Sequence, residues 1–146
     1  MDYYEEINSA KNILVTELLE PEENTLEFEL TIGKVSDNPE NIIVCDVNIG
    51  LSRGISFDGK CQRYKIVFEN YIGYAVINES YETLGGESFS GNRIRIYSDS
   101  NFLNYIKLDT FATSDFPGTF KHYAFISARH IINIVSQSEP KINKVQ

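Results

Sequence analysis

Apolar and polar residues alternate along several short segments of this chain, with the two-residue period of a β-strand. The clearest case is residues 26–32, in which apolar side chains alternate with glutamate and threonine. An apolar segment at residues 13–19 precedes it, and the sequence Pro-Glu-Glu-Asn at 21–24 is typical of a turn. These residues therefore predict an acidic hairpin over residues 13–32.

Further strand patterns follow along the chain, at residues 42–49, 63–69, 71–78, 93–97, 119–127 and 130–136. Only Asn70 separates two of these segments, which are predicted to form a second hairpin, and the last two predict a final one. In the segment from 93 to 97, Ile94 and Ile96 are expected to face the core. Loops are predicted where glycine, proline and polar residues concentrate, at residues 33–41, 50–60 and 85–92.

One segment has the spacing of a helix. Phe102, Leu103 and Ile106 recur at helical intervals, and residues 98–100 offer side chains that cap helix N-termini. The pattern predicts an α+β, mostly β fold, in which antiparallel sheets form a sandwich or a partly open barrel with one main α-helix at about residues 99–107. Because no repeat or linker interrupts the chain, residues 1–146 are expected to form a single domain.

Charge is distributed unevenly along the chain. Residues 1–46 contain twelve acids against two bases, a balance of −10, whereas the other hundred residues have eleven bases and nine acids. An acidic surface repels nucleic acid and anionic lipid, so the expected partner is a basic protein rather than a nucleic acid or a membrane. The candidate partner-binding residues are the acids of the first hairpin, Glu17, Glu20, Glu22, Glu23, Glu27 and Glu29.

The cysteines and the amino terminus bear on three further classes, namely redox or zinc proteins, secreted proteins and membrane proteins. Cys45 and Cys61 do not form a C-x-x-C or four-ligand zinc pattern, and they are predicted to be buried thiols, with a disulfide as the alternative. The first residues lack the basic start and apolar stretch of a secretory signal, and no apolar run approaches the roughly 20 residues that span a bilayer. Neither export nor a membrane-spanning segment is therefore expected.

Two glycine-containing segments resemble catalytic motifs only in part. Residues 50–54 match the G-x-S-x-G nucleophile elbow with Ser52 as the nucleophile, but the residues that follow do not predict the helix an elbow requires. Residues 85–91 are glycine-rich but lack the lysine of a phosphate-binding loop. Both segments are interpreted as loops.

The remaining residues that could take part in catalysis or binding are scattered along the sequence. His122 and His130 are the only histidines, and their spacing in a hairpin keeps them apart, so we expect no catalytic group and no metal site. Arg93 and Arg95 project to one face of a strand and either clamp an anion or pair with neighbouring acids. The sequence predicts no cofactor and no particular oligomeric state.

Four segments in the second half of the chain resemble a set of small uncharacterised bacterial proteins: Asn78-Glu79-Ser80-Tyr81, residues 89–100, residues 117–123 and residues 130–140. The similarity covers residues 64–142 and excludes the acidic hairpin. It implies a bacterial, cytoplasmic origin and assigns no functional residue.

Three classes of function remain after these exclusions. The favoured class is a non-catalytic protein-binding protein, in particular an immunity-type protein that neutralises a bacterial toxin by covering its basic active site. An enzyme or small-ligand binder is the second class, with Arg95, His122 and Asp99 as the residues that folding would bring together. A structural or scaffold subunit is the third, and whether the chain is an enzyme at all is left open, with a non-enzyme favoured.

Overall fold

The computed structural model describes residues 2–83 and 87–145, and most of its elements are strands. The strands are β1 (Ile13–Leu19), β2 (Thr25–Ile32), β3 (Lys34–Val35), β4 (Glu40–Val44), β5 (Val47–Ser52), β6 (Ile55–Ser56), β7 (Arg63–Glu69), β8 (Tyr71–Asn78), β9 (Ser90–Gly91), β10 (Ile94–Tyr97), β11 (Lys121–Ile126), β12 (His130–Ser136) and β13 (Lys141–Lys144). The helices are α1 (Tyr3–Asn8) and α2 (Asn101–Asp109), with a 3₁₀ turn at Glu79–Tyr81.

Two antiparallel sheets form the body of the molecule. One has four strands in the order β1-β2-β7-β13, and the other has five in the order β8-β12-β11-β10-β9. Their inner faces share one buried cluster and the sheets do not close into a barrel. The predicted α+β, mostly β fold with one main helix is therefore confirmed.

Aromatic side chains from both sheets fill the space between them. Phe28 of β2 meets Phe125 of β11 edge to face with 5.0 Å between ring centroids, and Phe68 of β7 meets Tyr123 of β11 at 5.3 Å. All four side chains are buried. Because edge-to-face pairs add about 0.5–1.5 kcal/mol each beyond area burial, these contacts help to fix the alignment of the two sheets.

The first hairpin follows its alternating pattern. Leu26, Phe28 and Leu30 are fully buried, while Glu27 and Glu29 lie on the outer face of the four-stranded sheet. A shift of one residue would put both carboxylates in the core, at a cost far above that of any strand pairing. The predicted hairpin is confirmed, as is the final hairpin formed by β11 and β12.

The predicted hairpin between β7 and β8 is wrong. These strands are consecutive in sequence, but β7 pairs with β2 and β13 in one sheet, whereas β8 pairs with β12 in the other. The chain crosses between the sheets at Asn70, whose left-handed backbone conformation (φ 58°) turns it sharply. Alternation specifies which face of a strand is buried, not which strand it pairs with.

Helix α2 covers part of the outer face of the five-stranded sheet. The Ser100 hydroxyl accepts a hydrogen bond from the Leu103 amide at 3.0 Å and caps the helix. Leu103 and Ile106 are buried in a second apolar cluster with Val135 of β12. The predicted helix is confirmed two residues further along the chain, while α1 and β13 were not predicted. Within the described ranges, no helix has the length and apolar character needed to cross a membrane.

Residues 34–56 form an extension that we call the arm. Strands β3 and β6 pair at its base, and β4 and β5 pair beyond them. The predicted loops at 33–41 and 50–60 and the single strand at 42–49 are thus corrected: β4 and β5 form a hairpin whose turn is Cys45-Asp46, β5 continues to Ser52, and β6 follows at Ile55–Ser56. Both turn residues have positive φ (49° and 64°), as the tight hairpin turn requires. Cys45 is exposed there, contrary to the prediction, whereas Cys61 is buried, and no disulfide joins the two.

Candidate functional site

The six predicted partner-binding glutamates do not form one surface. Glu27 pairs with Lys65 at 3.2 Å and Glu29 with Arg63 at 3.9 Å, both across the β2–β7 ladder. Their side chains are only 24% and 23% exposed. Neighbouring cations therefore compensate these two carboxylates, which reduces the field that they offer to a partner.

Glu20 is also engaged inside the molecule. Its carboxylate accepts hydrogen bonds from the hydroxyls of Tyr71 and Tyr74 at the start of β8. The bond to Glu20, together with partial burial, raises the pKa of the Tyr71 hydroxyl to about 12. Glu17, Glu22 and Glu23 remain exposed, and no described residue forms an ion pair with them. Of the six predicted residues, these three near the β1–β2 turn are thus the ones that remain available to a partner.

The arm presents the most unusual surface in the described part of the chain. Every residue from 37 to 56 is exposed. Among them are six large apolar side chains on the β4–β5 hairpin, namely Ile42 (40% exposed), Ile43 (59%), Val44 (51%), Val47 (59%), Ile49 (62%) and Leu51 (69%). Contiguous apolar surface of this kind marks interaction sites in soluble proteins.

Both faces of this hairpin are apolar. Ile43 and Val44 are consecutive in β4, so their side chains project to opposite faces, and both are more than half exposed. An isolated two-stranded hairpin is at best marginally stable in water. The sequence carried a signal for this, because an apolar run without alternation is typical of a strand that is covered on both faces. None of the residues that the structure describes covers the hairpin.

A cleft of about 260 Å³ lies on the outer face of the five-stranded sheet, between the 3₁₀ turn and the start of α2. Its floor is of mixed polarity: Ala124, Ile126 and Ile131 are apolar, whereas His122 and Asn133 are polar. Two of the residues proposed for a small-molecule site, Arg95 and His122, line it. The third, Asp99, is exposed and lies outside the lining, as does Arg93.

His122 is held in place at both ring nitrogens. Nδ1 lies 2.7 Å from the Ser100 hydroxyl and Nε2 lies 2.7 Å from Oδ1 of Asn133. Because the Asn133 oxygen only accepts, Nε2 carries the proton, and Nδ1 accepts from the serine. Tyr97 stacks on the ring with 4.7 Å between centroids. Burial lowers the pKa of His122, which favours this neutral form.

The other polar groups of the cleft are also engaged. The Arg95 guanidinium lies 4.1 Å from the centre of the Phe89 ring, and its Nε donates to the Asn92 carbonyl at 3.2 Å. The Glu87 carboxylate accepts from the Asn101 amide at 3.1 Å, at the first turn of α2. The network thus joins strand, helix and loop, and it leaves His122 without a free nitrogen for proton transfer.

The remaining catalytic candidates lie apart. Ser52 is exposed at the end of β5 opposite Glu40, and no helix follows it, so the nucleophile elbow is absent. His130 pairs with Asn78 at the start of β12, whereas His122 lies opposite Val135 near its end. Gly85 and Gly86 of the glycine-rich segment lie outside the described residues. Within the described residues no three potential ligands cluster as a metal site would require.

Three comparisons with known proteins add no relationship. The chain matches no family model, no curated protein and no solved structure. The function of the chain is therefore inferred from the surfaces described above.

Proposed function

We propose that this chain is a non-catalytic, cytoplasmic protein-binding protein and that the arm contacts its partner. The six exposed apolar side chains of the β4–β5 hairpin support this proposal most strongly. Burying one such side chain completely contributes about 1.5–3 kcal/mol, so even partial burial of the set supports a stable complex. The engaged polar groups of the cleft favour binding over catalysis.

The expected partner is a basic protein, and the immunity-type function, the neutralisation of a toxin, is the form of binding we favour. The net charge of −8 favours approach of a positively charged surface. Glu22 and Glu23 lie at the opposite end of β2 from the arm, and eight strand residues span roughly 26 Å. These acids therefore assist approach, whereas the arm supplies the contact.

The test compares two aspartate substitutions with the wild-type chain. A basic protein captured from a bacterial lysate is purified, and its dissociation constant is measured with wild type, Leu51→Asp and Leu108→Asp. Leu108 is 88% exposed on α2 and provides a matched control outside the arm. We expect Leu51→Asp to weaken binding by about tenfold or more and Leu108→Asp to leave it unchanged. Equal affinities for all three chains, or no captured basic protein, would refute the proposal.

The cleft supports a second candidate, the binding of a small ligand. Its volume and the presence of Arg95 beside a floor of mixed polarity favour a compact molecule that carries a carboxylate. Backbone amide shifts are recorded while free amino acids and short carboxylic acids are added. Saturable shifts confined to the cleft, and lost in Arg95→Gln, would support this function over the first. Shifts that are absent or unaffected by Arg95→Gln would exclude it for these ligands.

A further inference from the structure

Three of the four outer edges of the two main sheets are protected against pairing with another chain. Strand β9 has only two residues, and β13 carries lysines at both ends. Strand β1 is distorted at Glu17 (φ 54°), where its register shifts, and its first residues bond to the segment at 127–128. Short length, lysine and bulges are the devices by which natural sheets avoid edge pairing.

The fourth edge, β8, has none of these devices over most of its length. Its eight residues include no charge and no proline, and none of them is buried. Its register with β12 is regular from Gly73 to Asn78, and Val76 is 49% exposed. Every second amide and carbonyl of an edge strand points away from its sheet. Strand β8 therefore offers unpaired backbone groups to an incoming strand.

We propose that β8 pairs with β8 of a second copy of this chain, in antiparallel orientation, to form a continuous ten-stranded sheet. A two-fold axis normal to the sheet at Ala75 would place Gly73 opposite Ile77 and Tyr74 opposite Val76. The side chains of these pairs carry no charge, so repulsion between the two copies comes from residues outside the strand, such as Glu20 beside Tyr74, and it weakens with salt.

Symmetry favours a second copy over an unrelated strand as the occupant. A two-fold contact uses the same edge in both copies, so each copy covers the unprotected edge of the other. The outer edges of the resulting sheet are the two β9 strands, which are too short to continue it. Assembly therefore stops at two chains, and the arm is not needed for it.

Molecular mass in solution tests the proposal. Light scattering and sedimentation are expected to give twice the chain mass of 16.7 kDa for wild type at high concentration. A lysine at an edge blocks pairing, so Val76→Lys is expected to raise the dimer dissociation constant by about tenfold or more. Val47→Lys makes the same change at a 59% exposed arm position and is expected to leave the dimer intact.

Amide hydrogen exchange gives a second measurement of the same contact. In the wild-type chain, alternate amides within residues 73–77 are expected to exchange more slowly as the concentration of dimer rises. In Val76→Lys, the same amides are expected to exchange at the rate of the monomer. A wild-type mass of one chain at all concentrations would overturn the proposal without affecting the proposed function of the arm. A dimer that Val47→Lys dissociates and Val76→Lys does not would overturn it in favour of contact through the arm.

Discussion

His122 is a buried polar residue whose role is structural. It links Ser100, which caps α2, to Asn133 in β12, and Tyr97 stacks on its ring. If Nδ1 were protonated, it would donate to the Ser100 oxygen, which also accepts from the Leu103 amide, and the buried hydroxyl would lose Nδ1 as the acceptor of its own proton. The neutral ring therefore fits this network better than the charged one.

This network predicts a pH dependence of stability. Burial places the pKa of His122 below its usual value of 6.5, so the unfolded chain binds this proton more readily than the folded one. The free energy of unfolding should therefore be highest above pH 6.5 and fall as pH decreases below it. Urea unfolding between pH 7.5 and 5.5 is expected to show a smaller loss for His122→Gln than for wild type. An identical loss in the two chains would contradict the account.

Single strands and helices of this fold can be predicted from local sequence patterns, whereas the pairing of one strand with another can be predicted only in part. The β1–β2 and β11–β12 hairpins and α2 were predicted because alternation, turn residues and a capping serine act over a few residues. The crossing at Asn70 was missed because inward side chains such as Phe68 and Tyr74 look alike whichever sheet they join. The sequence grouped Arg95, His122 and Asp99 as a candidate site, but the pairing of β10 with β11 brings only the first two to the cleft.

The crossing at Asn70 predicts a specific sensitivity to substitution. A left-handed conformation is tolerated by asparagine and glycine but strains a β-branched residue. Asn70→Val is expected to lower the free energy of unfolding by about 1–2 kcal/mol, and Asn70→Gly to change it little. Chemical denaturation of the three chains provides the measurement. Equal stability of Asn70→Val and wild type would show that the chain does not require this conformation to change sheets.

At the scale of the whole molecule, the free acids of the first hairpin are separated from the apolar surface of the arm, although the arm has exposed acids of its own at Asp37, Glu40 and Asp46. The free acids near the β1–β2 turn and the arm lie at opposite ends of β2, so screening over about 8 Å at physiological ionic strength prevents these acids from acting at the arm contact. Their effect is confined to the approach of the partner. The sequence predicted the acidic residues but not this separation, because the arm is displayed only by the pairing of β3 with β6 and β4 with β5.

This separation predicts a kinetic effect of charge reversal. Glu22→Lys combined with Glu23→Lys is expected to slow association with a basic partner at low salt and to leave dissociation unchanged. High salt should remove the difference. Neither residue forms an ion pair with a described residue, so the melting temperature should change little. A faster dissociation at all salt concentrations would instead place these acids in the contact itself.

The central claim is that the arm is the surface covered by a protein partner, and amide hydrogen exchange of the complex tests it most directly. Exchange is measured along the chain with and without the purified basic partner. The account predicts that the amides of residues 42–51, which are exposed in the free chain, exchange much more slowly in the complex. Unchanged exchange in the arm, with protection confined to the cleft or to the β1–β2 turn, would contradict it.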